Sequence, residues 1–97
     1  MIPLNIAMKL PRDVSGIQAA SNLKKICFKE VRQRGSHLTL RRASGEQVTI
    51  PLHESLKIGL VKELIDLLEG FGYNRMEAAR FLKIGKPKKL ECPLETY

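Results

Sequence analysis

The sequence predicts an α+β domain, α-β-β-β-α, with a three-stranded antiparallel sheet covered on one face by two helices, plus a short C-terminal helix. Three observations predict this fold: a capped helical pattern after residue 15, two alternating runs between residues 37 and 53, and a broad apolar stripe over 60–71. With 97 residues, the chain has room for one domain with one modest core.

The first helix is predicted to begin after Ser15. Gln18 follows three residues later, which is the spacing of a capping box, and Ile17, Ala20 and Leu23 then recur on one face to about residue 25. From residue 27 to 32 the helical period lapses. Strands are therefore expected from this point until the next helical pattern.

A hairpin is predicted from the runs HLTLRR and QVTIPLH, which both alternate apolar with polar residues. The intervening ASGE is typical of a turn, because Gly45 can take a positive φ. If residues 44–46 form the loop, Leu40 lies opposite Ile50 on the buried face.

The same register makes neighbours of the two histidines. It places Thr39 opposite Pro51 and His37 opposite His53 on the solvent face, with roughly 5 Å between the Cβ atoms of the histidine pair. Pro51 cannot donate a hydrogen bond to a ladder, so its strand is expected at a sheet edge.

The second helix is the strongest helical prediction in the chain. GLVKELIDLLEGFG carries a broad apolar stripe and ends at Gly70 and Gly72. A further helical pattern begins in the segment NRMEAARFL, with Asn74 as its N-cap and Glu77 three residues later. Residues 1–82 are thus expected to form one domain, with 1–7 as a possible N-terminal arm and 83–97 as a basic, flexible tail.

Charge and cysteine usage narrow the classes of partner and compartment. The net charge of +7 makes a polyanion, above all nucleic acid, the first partner to consider, although excess lysine also serves solubility alone. Cys27 and Cys92 lack a CxxC spacing, and no signal peptide or long apolar run is present, which favours a reducing cytoplasm and no membrane. The scattered cysteines and histidines do not have zinc-ligand spacing, so no metal is predicted.

Four stretches, LPRDVSG, VRQRGSHLTL, VTIPLH and LKIGLVKELIDLL, together resemble the HicA family of mRNA interferase toxins, from about Met8 to Leu82. The resemblance implies a double-stranded-RNA-binding-domain-like fold and a metal-independent ribonuclease that needs no cofactor. It also implies a catalytic histidine at His37 and a HicB antitoxin that masks the active face. Two positions depart from the family pattern: Cys27 stands where a glycine usually closes the first helix, and a cap hydroxyl is missing before Leu60.

Histidine suits RNA cleavage because the 2′-hydroxyl is already the nucleophile and needs only a base, cations and an acid. An imidazole with an ordinary pKa of about 6.5 is abundant in its neutral form at pH 7. We therefore assign His37 as the base and His53 as a candidate for the acid. The alternative for His37 is a sheet-surface histidine that contacts a nucleotide without taking part in chemistry. The alternative for His53 is a surface residue that ends an edge strand.

Phosphate contacts are predicted for a set of residues around these histidines, each of which also has a local structural explanation. They are Arg32, Arg34, Gly35, Ser36, Thr39, Arg41, Arg42 and Lys57. Two other functions remain open. One is a non-catalytic module that recognises double-stranded RNA by shape, and the other is an adaptor whose basic face holds an acidic protein.

Overall fold

The computed structural model describes residues 13–85, so the predicted arm at 1–7 and residues 86–97 of the predicted tail lie outside the described residues. Within it, the predicted α+β order is confirmed. The elements are α1 (Gly16–Lys24), β1 (Lys29–Arg34), β2 (His37–Arg41), β3 (Gln47–Pro51), α2 (Ile58–Gly70) and α3 (Arg75–Ile84). Lys83, where the tail was expected to begin, is still helical.

The three strands form one antiparallel sheet in the order β1-β2-β3. Pro51 ends β3 at an edge of this sheet, as its missing N–H predicted. The helices cover β2 and β3, whereas all six residues of β1 are exposed. One face and one edge strand are thus left open to solvent.

The core joins side chains from all three helices with the inward face of β2 and β3. Leu38, Leu40 and Ile50 supply the sheet side, and the short helix α3 contributes the fully buried Phe81 and Leu82. Ile17, which was predicted to share one face of the first helix with Ala20 and Leu23, is 67% exposed, whereas those two residues are buried. Helix α1 instead buries Ala19, Ala20 and Leu23, so its inward face is rotated by part of a turn.

The β2–β3 register differs by two residues from the predicted one. Leu38 pairs with Ile50 and Thr39 with Thr49, because the loop is 43–45 rather than 44–46. The N–H of Gly45 donates to Arg42 O (2.9 Å), and Gly45 takes a φ of 109°. A three-residue loop that ends on a positive-φ glycine is a common hairpin connection. A shift of two residues keeps every side chain on its predicted face.

The helix ends match the predicted chemistry in part. Asn74 and Glu77 form a complete capping box, with the Glu77 N–H donating to Asn74 Oδ1 (2.8 Å) and the Asn74 N–H to Glu77 Oε1 (2.9 Å). Ser15 accepts from the Gln18 N–H (3.0 Å), but the Gln18 side chain donates to Lys83 O instead of back to Ser15. The N-cap of helix α2 is Lys57, which makes no side-chain cap hydrogen bond, and the hydroxyl missing before Leu60 would lie inside the helix rather than at its cap.

A polar stripe on α1 satisfies the carbonyl end of α3. The Asn22 amide donates to Phe81 O and Leu82 O, both at 3.1 Å, and Lys25 Nζ donates to Gly85 O at 3.2 Å. The last carbonyls of a helix have no partner within the helix, so these side chains replace water there. Asn22 is buried as a consequence, and α1 and α3 are fixed against each other.

Cys27 has a φ of 78°, in the region that glycine adopts without strain. The position therefore does require the backbone conformation that a family glycine would supply. A side chain in this region costs about 1 kcal/mol.

Candidate functional site

The site begins at the tight turn between β1 and β2. Arg34 pairs with His37 across the two-residue loop of Gly35 and Ser36, and Gly35 has a φ of 57°. Positive φ at the first central position alone is typical of a type II′ hairpin turn, which suits the twist of the flanking strands. The turn places His37 at the first position of β2, exposed on the open face of the sheet.

The two histidines lie side by side at this end of the sheet. The imidazole centroids of His37 and His53 are 6.5 Å apart, and the rings meet nearly edge to face at 69°. Their predicted direct pairing is wrong, because His37 pairs with Pro51 and His53 lies two residues beyond the end of β3. Their predicted proximity is confirmed. Both side chains are exposed.

Two backbone hydrogen bonds hold the segment that carries His53. The Leu52 N–H donates to Ser36 O (2.6 Å), which continues the β2–β3 ladder past Pro51. The Gly16 N–H then donates to His53 O (2.8 Å), which ties the same segment to the start of α1. We call this pair of bonds the backbone brace.

Gly16, which the sequence did not single out, sets how closely α1 approaches the segment that carries His53. A Cβ at this residue would overlap the carbonyl oxygen of Pro51 and crowd Leu52, so only glycine lets α1 approach the end of β3. A sequence signal for it does exist. Glycine is a poor helix former, yet it occupies the first position of α1, directly after the cap.

Three arginines lie exposed on the same open face as His37. Arg32 and Arg34 pair with Thr39 and His37, and Arg41 pairs with Gln47. His37, Thr39 and Arg41 alternate with the buried Leu38 and Leu40, which fixes the three arginines on the side away from the helices. The structure thus places three of the five predicted cations on one face, with Arg34 across from His37 and Arg41 four residues along β2 from it.

Arg42, which was predicted as a phosphate contact, does not lie on the open face with the other arginines. Arg42 alternates with Arg41 and is only 7% exposed on the helix side of the sheet. Its guanidinium carbon lies 4.4 Å from the ring centroid of Phe71, and Nη1 lies 3.8 Å from the Glu46 carboxylate. The hydrogen bond from the Ser44 hydroxyl lowers the pKa of Glu46, with smaller contributions from the backbone N–H of Glu46 and then from the Arg42 charge.

Thr39 has less surface than predicted. It lies on the open face but is only 5% exposed, because the central strand is flanked on both sides. Its hydroxyl is hydrogen-bonded to that of Thr49 (3.1 Å). The exposed member of this pair is Thr49, so a ligand on the face meets Thr49 first.

The remaining predicted residues stay accessible. Gly35 and Ser36 are exposed in the turn, and Lys57 is exposed at the start of α2, four residues after His53. Nothing in the fold contradicts their predicted contacts with phosphate, which stay predictions.

Two further findings concern metal ligands and membrane spans. Across residues 13–85, no three His, Cys, Asp or Glu side chains group as metal ligands would. None of the helices in that range is long and apolar enough to cross a membrane. The predicted cytoplasmic location stays a prediction.

The fold and the site define a small basic α+β protein with paired histidines at one end of an open sheet. The family model described as HicA toxin of bacterial toxin-antitoxin matches residues 19–72, just over half of the chain. The chain therefore belongs to the HicA toxin family, and that family implies an antitoxin partner. No curated protein and no solved structure matches it.

Gly16→Ala should destabilise the protein and displace His53, because the new methyl group meets backbone that cannot rotate away. We expect a loss of about 1–3 kcal/mol in the free energy of unfolding, measured by urea denaturation. Gly59→Ala is the matched control, since a Cβ there meets open space in α2. Equal stability of the two variants would contradict the close approach.

Proposed function

We propose that this HicA toxin is an endoribonuclease that cleaves mRNA through its own 2′-hydroxyl, without a metal. The observation that carries the proposal is the pair of exposed imidazoles, 6.5 Å apart, on an arginine-bearing sheet face. Two imidazoles at this separation can contact oxygens of one phosphodiester group from two sides, as an acid and a base must.

His37 in its neutral form is the base. It takes the proton from the 2′-hydroxyl, the O2′–P bond forms, and the P–O5′ bond breaks. His53 in its protonated form gives a proton to the leaving O5′. The products are a 2′,3′-cyclic phosphate and a 5′-hydroxyl, so no water is consumed in this step.

The arginines are suited to the charge that grows on the phosphorane. Arg34 is closest in the fold to the histidine pair, because it is the cross-strand partner of His37. Guanidinium groups grip phosphate oxygens in bidentate fashion and stay charged throughout the reaction. Ser36 and Lys57 are further candidates for phosphate contacts at the same end of the sheet.

A HicB-type antitoxin would inhibit such an enzyme by covering this face. The charge of the face favours an acidic surface on the antitoxin, because a complementary potential both steers association and excludes RNA. The cytoplasm, where mRNA is translated, is the compartment that this function requires.

His37→Ala should abolish cleavage of RNA in the presence of a chelator while leaving the fold intact, because the side chain is exposed and supports no core contact. We expect a loss of at least about 100-fold in rate, the usual contribution of a general base. Gel analysis of a defined RNA measures the rate, and circular dichroism checks the fold.

Two outcomes would reject the nuclease assignment. One is an unchanged rate in His37→Ala, and the other is cleavage of a chain in which every 2′-hydroxyl is replaced by hydrogen. Salt-sensitive binding with intact RNA recovered afterwards would instead support the non-catalytic RNA-binding module.

Arg41→Gln and Arg42→Gln should separate binding from stability, although the residues are adjacent. Arg41→Gln should weaken RNA binding and lower its salt dependence by about one counterion, with little change in stability. Arg42→Gln should cost about 1–3 kcal/mol of stability, because it removes the stacking on Phe71 and the pairing with Glu46. Filter binding and urea denaturation measure the two effects, and the reverse pattern would contradict this placement.

A further inference from the structure

The edge strand β1 contains an irregularity that changes which of its residues reach the open face. Arg32 pairs with Thr39, but Glu30 pairs with Leu40 and Lys29 with Arg41, so Val31 is an extra residue in a β-bulge. Strict alternation from Arg32 would put Glu30 on the open face. The bulge reverses the alternation and puts Lys29 there instead.

Two independent contacts confirm that Glu30 lies on the helix side. Its carboxylate forms an ion pair with Lys24 of α1. It also lines a groove of about 250 Å³ between α1 and the sheet, together with Gln33, Leu38 and Leu52. Lys29, as the cross-strand partner of the exposed Arg41, lies on the opposite side.

As a consequence, the charged strand residues that the structure describes on this face are all positive. The strand residues on it include Lys29, Arg32, Arg34 and Arg41, and no carboxylate. A carboxylate at the position next to Arg32 would repel a phosphate and compete for the arginine. One inserted residue therefore replaces a repelling charge with an attracting one.

We propose that Lys29 is a further RNA-binding residue, which holds a backbone phosphate several nucleotides away from the scissile bond. This inference rests on the proposed function. Lys29 lies five residues along β1 from Arg34, the partner of His37, which is roughly 15 Å at the rise of a strand. A stacked nucleic-acid strand that rises about 3.4 Å per nucleotide covers this distance in about four nucleotides.

The position of Lys29 also indicates how the RNA strand would run across the face. The cations form a row along β1, and the exposed strand residues of this face include no Phe, Tyr or Trp side chain. Base stacking therefore has no platform there, and the row reads phosphate positions without reading base identity. The substrate is a strand that extends from the histidine pair along β1 toward Lys29.

The test is a binding assay with non-cleavable 2′-O-methyl RNA, either long (about twelve nucleotides) or too short (about three) to reach Lys29 from the histidine pair. Lys29→Gln should weaken binding of the long RNA roughly three- to tenfold and lower the salt slope by about one. It should leave binding of the short RNA unchanged, and Lys29→Arg should restore the long-RNA affinity.

Lys24→Gln is the matched control, because it removes the same charge from the helix side of the sheet. Equal weakening by Lys24→Gln and Lys29→Gln would overturn the inference, since only net charge would then matter. If Arg32→Gln weakens binding and Lys29→Gln does not, the RNA face stands and Lys29 is excluded from it. If neither Arg32→Gln nor Lys29→Gln changes RNA binding, the proposed RNA-binding face is wrong, and the inference about Lys29 is wrong with it.

Discussion

The candidate site depends on the backbone brace more than on any side-chain contact. The Leu52 N–H to Ser36 O bond continues the β2–β3 ladder, and the Gly16 N–H to His53 O bond ties the next residue to the start of α1, both just beyond the last paired residue of β3. These two bonds place His53, which lies beyond the end of β3, beside His37, which begins β2. Because backbone groups at a sheet end must be satisfied, the brace fixes the site while stabilising the fold.

Much of the fold could be predicted from periodicity, because a buried face dictates which side chains point inward. The same argument cannot choose between registers that differ by two residues, since both bury Leu38 and Leu40. Turn chemistry decided the register, with Gly45 at the end of the loop rather than in its middle. The predicted proximity of His37 and His53 is correct although the predicted register is not, because the chain after Pro51 stays close to β2.

The sheet face on which a site residue lies could be predicted where the alternation of side chains along a strand was used. It could not be predicted from the basic composition of the segment alone. Arg42 was grouped with its basic neighbours, although the alternation that buries Leu38 and Leu40 also turns it inward. The bulge at Val31 left no signal in the sequence, because the pairing of a whole strand determines where an extra residue is placed. Gly16 was missed because its constraint is a close approach between elements distant in sequence.

A double-mutant cycle on the cleavage rate shows whether His37 and His53 act as one unit on one phosphate, as proposed. We expect His37→Ala and His53→Ala each to cause a large loss of rate, and the double variant to be about as slow as the slower single variant. Losses that multiply, or an unchanged rate in His53→Ala, would contradict a shared mechanism.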